Sequence, residues 1–422
     1  MRIVTEQTLA ARLRAMPLPE LGPPPRVVVG GNLATPYRLL AIVDGVFERY
    51  VVHALNAHDA VDAEHPERTF PNREGAVLET TFVGPAMRRS LQLRYLPCRL
   101  SLVPSLYSGA LPVDVVMVQT STPMAGTVSL GIECNVLPAA IAACRDRGGL
   151  IVAALNSHMP YTYGDAVLDE GDIDLAVEMD EPLPQVQGAA VDDLSHQIGD
   201  RVAHLVADGS TLQLGIGGIP DAVLSALPHR RGLRVWTEMF SDGVLALERA
   251  GALDVDHPVN TSFMFGSNEL YRWVDRNPRV RLLRTEVTND PGRISRNPLL
   301  VSVNSALEVD LFAQANASRV KGRIHSGFGG QTDFIVGALH SRGGQAFIAL
   351  RSWHPKADCS TIVPLLDEPV TSFQHSAIIT EQGVAPIHGR SQGEQARALI
   401  AHAAHPDVRE ELIEEAHALG LI

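Results

Sequence analysis

Short apolar runs that are typical of strands alternate along this chain with stretches of helical pattern. Residues 27–29, 115–118 and 150–155 are almost wholly aliphatic, and a helical pattern over residues 136–145 separates the last two runs. Strands that alternate with helices usually form parallel sheets, with the helices packed on their faces. The sequence therefore predicts an α/β protein with mostly parallel sheets flanked by helices.

The chain length and one linker-like segment indicate two domains. A chain of 422 residues is too long for one ordinary core and suggests two domains of about 200 residues each. Residues 180–188 are acidic and contain prolines, as linkers often do. We therefore expect domains at residues 1–190 and 191–422. A strand, a glycine loop, a proline and a helical pattern follow one another in each half, which suggests a faint internal repeat.

The strongest local signal of a ligand site is the run Gly215-Ile216-Gly217-Gly218-Ile219-Pro220. It follows a strand-like run at residues 211–214 and precedes a helical pattern at residues 221–227, so Pro220 is expected at the first helical position. Glycines let the backbone approach a ligand, and a helix N-terminus offers free N–H groups to an anion. An ordinary strand-to-helix turn is the alternative, and the third glycine of the dinucleotide fingerprint is missing.

A single acidic residue follows the next predicted strand. Glu238 comes after the strand-like residues 233–236 and before a turn at residues 241–243. Ligands of open α/β sheets bind outside the carboxyl ends of the strands, so Glu238 is expected near the glycine run. The alternative is a solvated or helix-capping carboxylate.

The glycine run and residues 237–243 together resemble the second half of the acetyl-CoA hydrolase/transferase family, which includes 4-hydroxybutyrate and butyryl-CoA:acetate CoA-transferases. Other segments agree in family order, so the resemblance covers nearly the whole chain; they are residues 31–36, 159–165, 304–310, 327–334 and 380–385. The resemblance implies two similar α/β domains of the CoA-transferase type, of which the second carries the catalytic glutamate.

By this resemblance Glu238 attacks the thioester carbonyl of an acyl-CoA and passes through an acyl-glutamyl anhydride and a glutamyl-CoA thioester. The side-chain amide of Asn289 and the backbone N–H of Gly330 match the family's oxyanion donors. A turn-forming Asn289 and a Gly330 that only makes a tight turn are the alternatives. The positions that match CoA-binding residues are Gly215, Ile216, Gly217, Gly218, Ile219, Gly327 and Gly329.

The function implied is that of an acyl-CoA:carboxylate CoA-transferase, with an acyl-CoA and a short-chain carboxylate as substrates and no separate cofactor. The family also implies a homodimer. If water takes the acyl or CoA group from the same Glu238, the protein is a thioester hydrolase. A non-catalytic CoA-binding protein is the third hypothesis. The sequence does not separate transferase from hydrolase, because the two differ only in the access of water to a covalent intermediate.

Composition bears on partners and location. The net charge of −13 argues against nucleic acid and acidic membrane surfaces as partners. The N-terminus has no signal-peptide pattern and no apolar run approaches the length that spans a bilayer, so we expect a cytoplasmic protein. The four cysteines have no Cys-x-x-Cys spacing, so neither a disulfide framework nor a structural metal site is expected.

One segment departs from the family pattern. Trp353, His354 and Pro355 are bulky, whereas many relatives are expected to have small and glycine-rich residues here. The segment could narrow the acyl pocket, contact CoA or form a surface loop, and the sequence leaves these alternatives open. The acyl chain and the acceptor acid are not predicted.

Overall fold

The structure, a computed structural model, describes residues 1–17, 22–186, 188, 191–215 and 217–422. The chain divides into two compact units. Unit 1 consists of Met1–Val186 and Asn260–Val287, and unit 2 consists of Gln187–Val259 and Thr288–Ile422.

Each unit is built on one main sheet, with helices connecting its strands. The strands of the two main sheets are β1 (Arg2–Ile3), β2 (Arg26–Val29), β3 (Tyr50–Ala54), β4 (Ala76–Thr80), β5 (Leu93–Tyr95), β6 (Val115–Thr120), β7 (Leu150–Asn156), β8 (Leu175–Met179), β9 (Thr211–Leu214), β10 (Arg234–Trp236), β11 (Leu300–Asn304), β12 (Gln345–Ala349), β13 (Ala377–Thr380) and β14 (Gly383–Pro386). The α-helices are α1 (Glu6–Arg14), α2 (Tyr37–Val46), α3 (Val103–Tyr107), α4 (Leu137–Asp146), α5 (Asp193–Leu205), α6 (Gly218–Ser225), α7 (Asp242–Arg249), α8 (Asn268–Val274), α9 (Thr285–Thr288), α10 (Pro291–Ile294), α11 (Gln331–His340), α12 (Gln392–His402) and α13 (Arg409–Ala418). Shorter strands are Thr127–Ser129, Tyr163–Gly164, Val167–Asp169, Met239–Phe240, Val259–Thr261, Phe263–Met264, Val280–Leu282, Glu308–Asp310, Ala315–Asn316, Arg319–Val320, Arg323–Ile324, Trp353–His354, Cys359–Ser360 and Ile362–Val363.

The main sheet of unit 1 is parallel throughout. Its strand order is β1-β8-β7-β6-β2-β3-β4-β5. All seven residues of β7 are buried, as expected for a strand that is covered on both faces. The predicted α/β class with mostly parallel strands is confirmed.

The main sheet of unit 2 repeats this topology. Six of its strands follow the order β14-β13-β12-β11-β9-β10, and among these six only the β13–β14 pair is antiparallel. The order β13-β12-β11-β9-β10 corresponds to β8-β7-β6-β2-β3 of unit 1, so the internal repeat suggested by the sequence is present in the topology. In unit 2 the chain leaves β9 for β10 on one side, while β11 lies on the other. A ligand crevice is expected outside the carboxyl ends of strands at such a switch point.

The division of the chain differs in one respect from the single boundary expected between residues 190 and 191. Residues 260–287 belong to unit 1, because their backbone is bonded to it: Cys134 N–H donates to Ser262 O (2.9 Å) and Met264 N–H donates to Ile132 O (3.0 Å). Unit 2 is therefore not continuous in sequence. Ala189 and Ala190, at the expected boundary, lie outside the described residues.

Most elements near the candidate site lie where the sequence predicts them. Strand β9 coincides with residues 211–214, but α6 begins at Gly218, so Pro220 is the third helical residue rather than the first. The earlier start loses no hydrogen bond, because N–H groups in a first helical turn have no intrahelical acceptor. Within the described part of the chain, no helix combines the length and apolar character needed to cross a bilayer.

Candidate active site

Glu238 lies just beyond β10, at the carboxyl edge of the unit 2 sheet, where the sequence predicts it. The preceding residue fixes this turn: the buried Thr237 hydroxyl donates to Leu214 O at the end of β9 (3.2 Å) and to Met239 O (2.9 Å). The backbone on either side of Glu238 is therefore tied to the neighbouring strand. The Glu238 side chain itself is half-buried.

Asn289 donates from its side-chain Nδ2 to Glu238 Oε2 at 3.0 Å. The orientation of this amide is set from the other side, because the Thr288 hydroxyl donates to Asn289 Oδ1 (2.8 Å). The indole N–H of Trp236, at the end of β10, donates to Thr288 O (2.9 Å) and so anchors this loop to the sheet. Asn289 is fully buried. Its amide is thus a fixed donor aimed at the Glu238 carboxylate.

Gly330 lies directly against the same carboxylate. A Cβ atom built on Gly330 would be 2.0 Å from Glu238 Oε2 and 2.3 Å from Asn289 Nδ2, so no side chain fits at this position. Gly330 is the N-cap of α11, and the next residue anchors the helix, because Gln331 Nε2 donates to Ser305 O (3.3 Å) beyond β11. The structure therefore brings Glu238, Asn289 and Gly330 together.

The environment of Glu238 disfavours its charged form. Burial raises the pKa of Glu238 to about 7; the hydrogen bond from Asn289 acts in the opposite direction, and the nearby charge of Asp333 raises the pKa further. A carboxylate with such a pKa is half ionised near neutral pH. When ionised it is poorly solvated, which suits a nucleophile.

The glycine run adjoins this turn. Gly217 has φ +117° and caps α6, while Gly218 and Ile219 form its first turn. The Ser241 hydroxyl, three residues after Glu238, donates to Asp221 of that turn (3.3 Å). The two motifs therefore meet at the carboxyl edge of the sheet, as predicted. Ile216 lies outside the described residues.

Gly215, Gly217, Gly218 and Ile219 are all partly exposed, and their assignment to CoA binding remains a prediction. Gly327 and Gly329 are buried in the segment that leads to Gly330. Gly329 has φ +54°, a conformation that favours glycine, so the need for a tight turn explains at least this residue.

Two buried carboxylates near the carboxyl edge of unit 2 were not singled out from the sequence. Asp333, in the first turn of α11, is fully buried and raises the pKa of Glu238. Glu381, directly after β13, accepts hydrogen bonds from Ser352 N–H (3.0 Å) and from the Ser352 hydroxyl. Both lie in segments that carry the family resemblance, but an isolated acidic residue gives no sequence signal of burial.

Comparison with known proteins identifies the class. The family model for the acetyl-CoA hydrolase/transferase C-terminal domain matches residues 266–416. The chain is 39% identical to 4-hydroxybutyrate coenzyme A transferase of Clostridium kluyveri over 79% of this chain and 80% of that protein. It is 34% identical to the succinyl-CoA:acetate/propanoyl-CoA:succinate CoA transferase of Fasciola hepatica over 92% and 83%.

A solved structure agrees over the whole length. The crystal structure of 4-hydroxybutyrate CoA-transferase from Porphyromonas gingivalis covers 99% of this chain, and 98% of that chain is matched, with a TM-score of 0.79 and 33% identity. The fold and these relatives define an enzyme of the CoA-transferase type. The chain belongs to the acetyl-CoA hydrolase/transferase family, which confirms the resemblance seen in its motifs.

Proposed function

We propose that this protein is an acyl-CoA:carboxylate CoA-transferase in which Glu238 carries the acyl and CoA groups covalently. The observation that carries the proposal is the arrangement around Glu238 Oε2, where the Asn289 amide donates at 3.0 Å and Gly330 leaves no room for a side chain. A reactive carboxylate and two candidate oxyanion donors therefore occupy one small volume.

In the first half-reaction, the ionised Glu238 attacks the thioester carbonyl of the donor acyl-CoA. The carbonyl oxygen takes up the negative charge and accepts hydrogen bonds from Asn289 Nδ2 and the Gly330 N–H. The C–S bond breaks, CoA leaves as a thiolate and an acyl-glutamyl anhydride remains. The thiolate then attacks the glutamyl carbonyl, which releases the first carboxylate and leaves a glutamyl-CoA thioester.

The second half-reaction reverses these steps with another acid. The acceptor carboxylate attacks the glutamyl thioester and displaces the CoA thiolate, which then attacks the acceptor's acyl carbonyl in the new anhydride. The new acyl-CoA leaves, and Glu238 is regenerated as a carboxylate. Every intermediate is about as activated as a thioester, so a carboxylate nucleophile keeps all steps reversible, whereas a serine ester would be too stable.

The Asn289–Glu238 hydrogen bond has a further consequence for this scheme. In the free protein the Asn289 amide donates to the nucleophile itself. During attack the same donor is needed at the carbonyl oxygen of the thioester, which becomes the oxyanion. The Asn289 amide therefore holds the carboxylate in place before the reaction and stabilises the oxyanion during it.

The experiment that tests the proposal is chromatography of CoA species after acetyl-CoA is mixed with the purified protein. One sample contains no added acid. The parallel samples each contain one acid: propionate, butyrate, succinate or 4-hydroxybutyrate. A new CoA ester that appears only with its matching acid is the expected result. Free CoA that accumulates equally without any acid would identify the alternative, a thioester hydrolase. A homodimer, implied by the family, belongs to the same proposal and is tested by light scattering.

A further inference from the structure

Unit 1 holds a buried carboxylate in the loop that follows β2. Glu133 is 1% exposed, and so are the two asparagines that contact it. Its Oε1 accepts hydrogen bonds from Gly31 N–H (3.0 Å), Asn32 Nδ2 (2.8 Å) and Asn135 Nδ2 (2.8 Å), and its Oε2 accepts from Asn32 N–H (3.2 Å). Burial raises the pKa of Glu133, while these hydrogen bonds favour its charged form. Two backbone and two side-chain donors therefore enclose both oxygens of the carboxylate.

The loop after β2 is shaped around this carboxylate. A Cβ atom at Gly30 would lie 2.9 Å from Glu133 Oε2, so the close approach of the backbone requires a residue without a side chain. The donor amide of Asn32 is oriented from its other side, because Asn56 Nδ2 donates to Asn32 Oδ1 (2.8 Å). The loop and its neighbours thus form a fitted binding site for a carboxylate group.

This loop corresponds in position to the glycine run of unit 2. In the shared strand order β2 takes the place of β9, and each strand leads through glycines to a proline and a helix. Asn56 is the second residue after β3, as Glu238 is the second residue after β10. Glu133 precedes α4, which lies between β6 and β7, as Gly330 precedes α11, which lies between β11 and β12. Unit 1 therefore has an amide where unit 2 has its reactive carboxylate.

From these contacts we infer that the loop after β2 is a binding site for a small carboxylate, and that the chain fills this site with its own Glu133. All four donors are N–H groups, which match an ionised carboxylate but not a carboxamide, whose NH₂ group would face some of them. The inference goes beyond the proposed function, because it involves none of the groups assigned to the reaction at Glu238. Although the strand topology is duplicated, unit 1 is closed to an external acid at this loop.

The test vacates the site with Glu133→Ala and supplies acetate. The substitution removes Cγ and the carboxyl group, which together have the shape of acetate. We expect the variant to melt at a lower temperature than the wild type, because four buried donors lose their acceptor. In a titration, acetate should raise its melting temperature by about 3–5 °C more than that of the wild type at ten times the dissociation constant. Acetamide, or chloride at equal ionic strength, should not give this rise.

Glu133→Gln is the matched control. It keeps the volume of the side chain, so it leaves no room for acetate, and acetate should stabilise it no more than the wild type. Any acetate that binds near Glu238 is common to all three proteins and cancels in the comparison. Should Glu133→Ala not fold in buffer alone, its refolding yield in acetate, compared with chloride, gives the same reading.

Three results would overturn the inference. If acetate stabilises Glu133→Ala no more than the wild type, or if the refolding yields are equal, the loop does not bind a carboxylate. Equal stabilisation by acetate and acetamide would indicate that any small molecule fills the cavity. Equal stabilisation of Glu133→Ala and Glu133→Gln would place the effect of acetate elsewhere in the protein.

Discussion

At the scale of single residues, the site depends on close contact around one oxygen atom. Glu238 Oε2 is held by a buried amide whose own oxygen is fixed by Thr288, and the backbone of Gly330 lies against both groups. Partial burial raises the pKa of this carboxylate, so its ionisation is costly. Three predictions follow from distances and charge at this scale.

The first concerns the space at residue 330. Gly330 has φ −93°, which any residue adopts, so Gly330→Ala strains no dihedral angle and acts only through its methyl group. Because that methyl would overlap Glu238 Oε2, we expect kcat/KM for acyl exchange to fall at least 100-fold while the thermal transition stays cooperative. Gly45→Ala in α2, where an added Cβ meets no atom within 4 Å, is the control and should keep full activity. Normal turnover in Gly330→Ala would show that the reaction does not use the Glu238 carboxylate in the position that it has in this structure.

The second concerns pH. Attack requires the ionised carboxylate, so kcat/KM should rise with pH through a midpoint near 7, the pKa of Glu238. The hydrogen bond from Asn289 is the influence that lowers this pKa, so Asn289→Ala should move the midpoint upward as well as reduce the rate. The midpoints are measured from the pH dependence of kcat/KM of the wild type and of Asn289→Ala with the same acyl-CoA. A midpoint near that of an ordinary glutamate, unchanged in Asn289→Ala, would contradict the environment described for Glu238.

The third links the same group to stability. Its folded-state pKa is raised, so the folded protein binds the proton more tightly than the unfolded chain, and stability is lost as pH rises from about 4.5 to about 7. Glu238→Gln cannot ionise and should escape this loss. Its free energy of unfolding at pH 8 is expected to exceed that of the wild type by up to about 3 kcal/mol, with little difference at pH 4. Denaturant melts at both pH values measure this, and a variant less stable than the wild type at pH 8 would contradict it.

At the scale of elements, the site is assembled from the ends of three strands and the starts of two helices. Strand β9 leads to the glycine run, β10 to Glu238 and β11 to Ser305, while α6 and α11 begin at Gly218 and Gln331. Helix α6 packs closely on α5. A Cβ atom at Gly199 of α5 would lie 2.7 Å from the Ala222 carbonyl carbon and 2.8 Å from its Cβ.

Gly199→Ala therefore tests whether the α5–α6 contact positions the glycine run. Overpacking against backbone costs about 1–3 kcal/mol and outweighs the helix-propensity gain of about 1 kcal/mol. We expect a lower melting temperature and a raised KM for acyl-CoA, because α6 must shift. Gly45→Ala, also inside a helix but without such neighbours, should raise the melting temperature instead. An equal gain in both variants would rule out the tight contact.

Local patterns predicted these elements well, for physical reasons. The apolar run at residues 211–214, the glycines after it and the proline that follows fix a strand, a turn and a helix start within a few residues. Topology then places Glu238 near the glycine run without knowledge of any contact. Asn289 and Gly330 were predicted only through the family resemblance, because nothing local shows that two distant loops converge on one carboxylate. The burial of Asp333 and Glu381 is likewise a property of the packed structure.

At the scale of the whole molecule, the chain duplicates one strand topology, but its units are not simple halves. The sequence signal at residues 180–188 lies at the first crossing between units, whereas the return of residues 260–287 to unit 1 has no comparable signal. Those residues join unit 1 through backbone hydrogen bonds between distant segments, such as Cys134 to Ser262. Pairings between distant segments cannot be recognised from local composition.

A fragment experiment tests this organisation. Residues 1–190 alone lack the partners of Ile132, Cys134 and Asn135, so we expect the fragment to aggregate or to unfold without a cooperative transition. Joining residues 260–287 to residue 186 through a flexible linker should restore cooperative unfolding, followed by circular dichroism. A cooperative transition in the shorter fragment would contradict the assignment of residues 260–287.

The most direct test of the central claim is mass spectrometry of the intact protein after brief incubation with acetyl-CoA in the absence of an acceptor acid, followed by peptide mapping. Covalent transfer through Glu238 predicts a mass increase equal to CoA less one water, located on the peptide that contains Glu238 and absent from Glu238→Gln. An adduct on another residue, or acyl exchange that persists in Glu238→Gln, would contradict the claim.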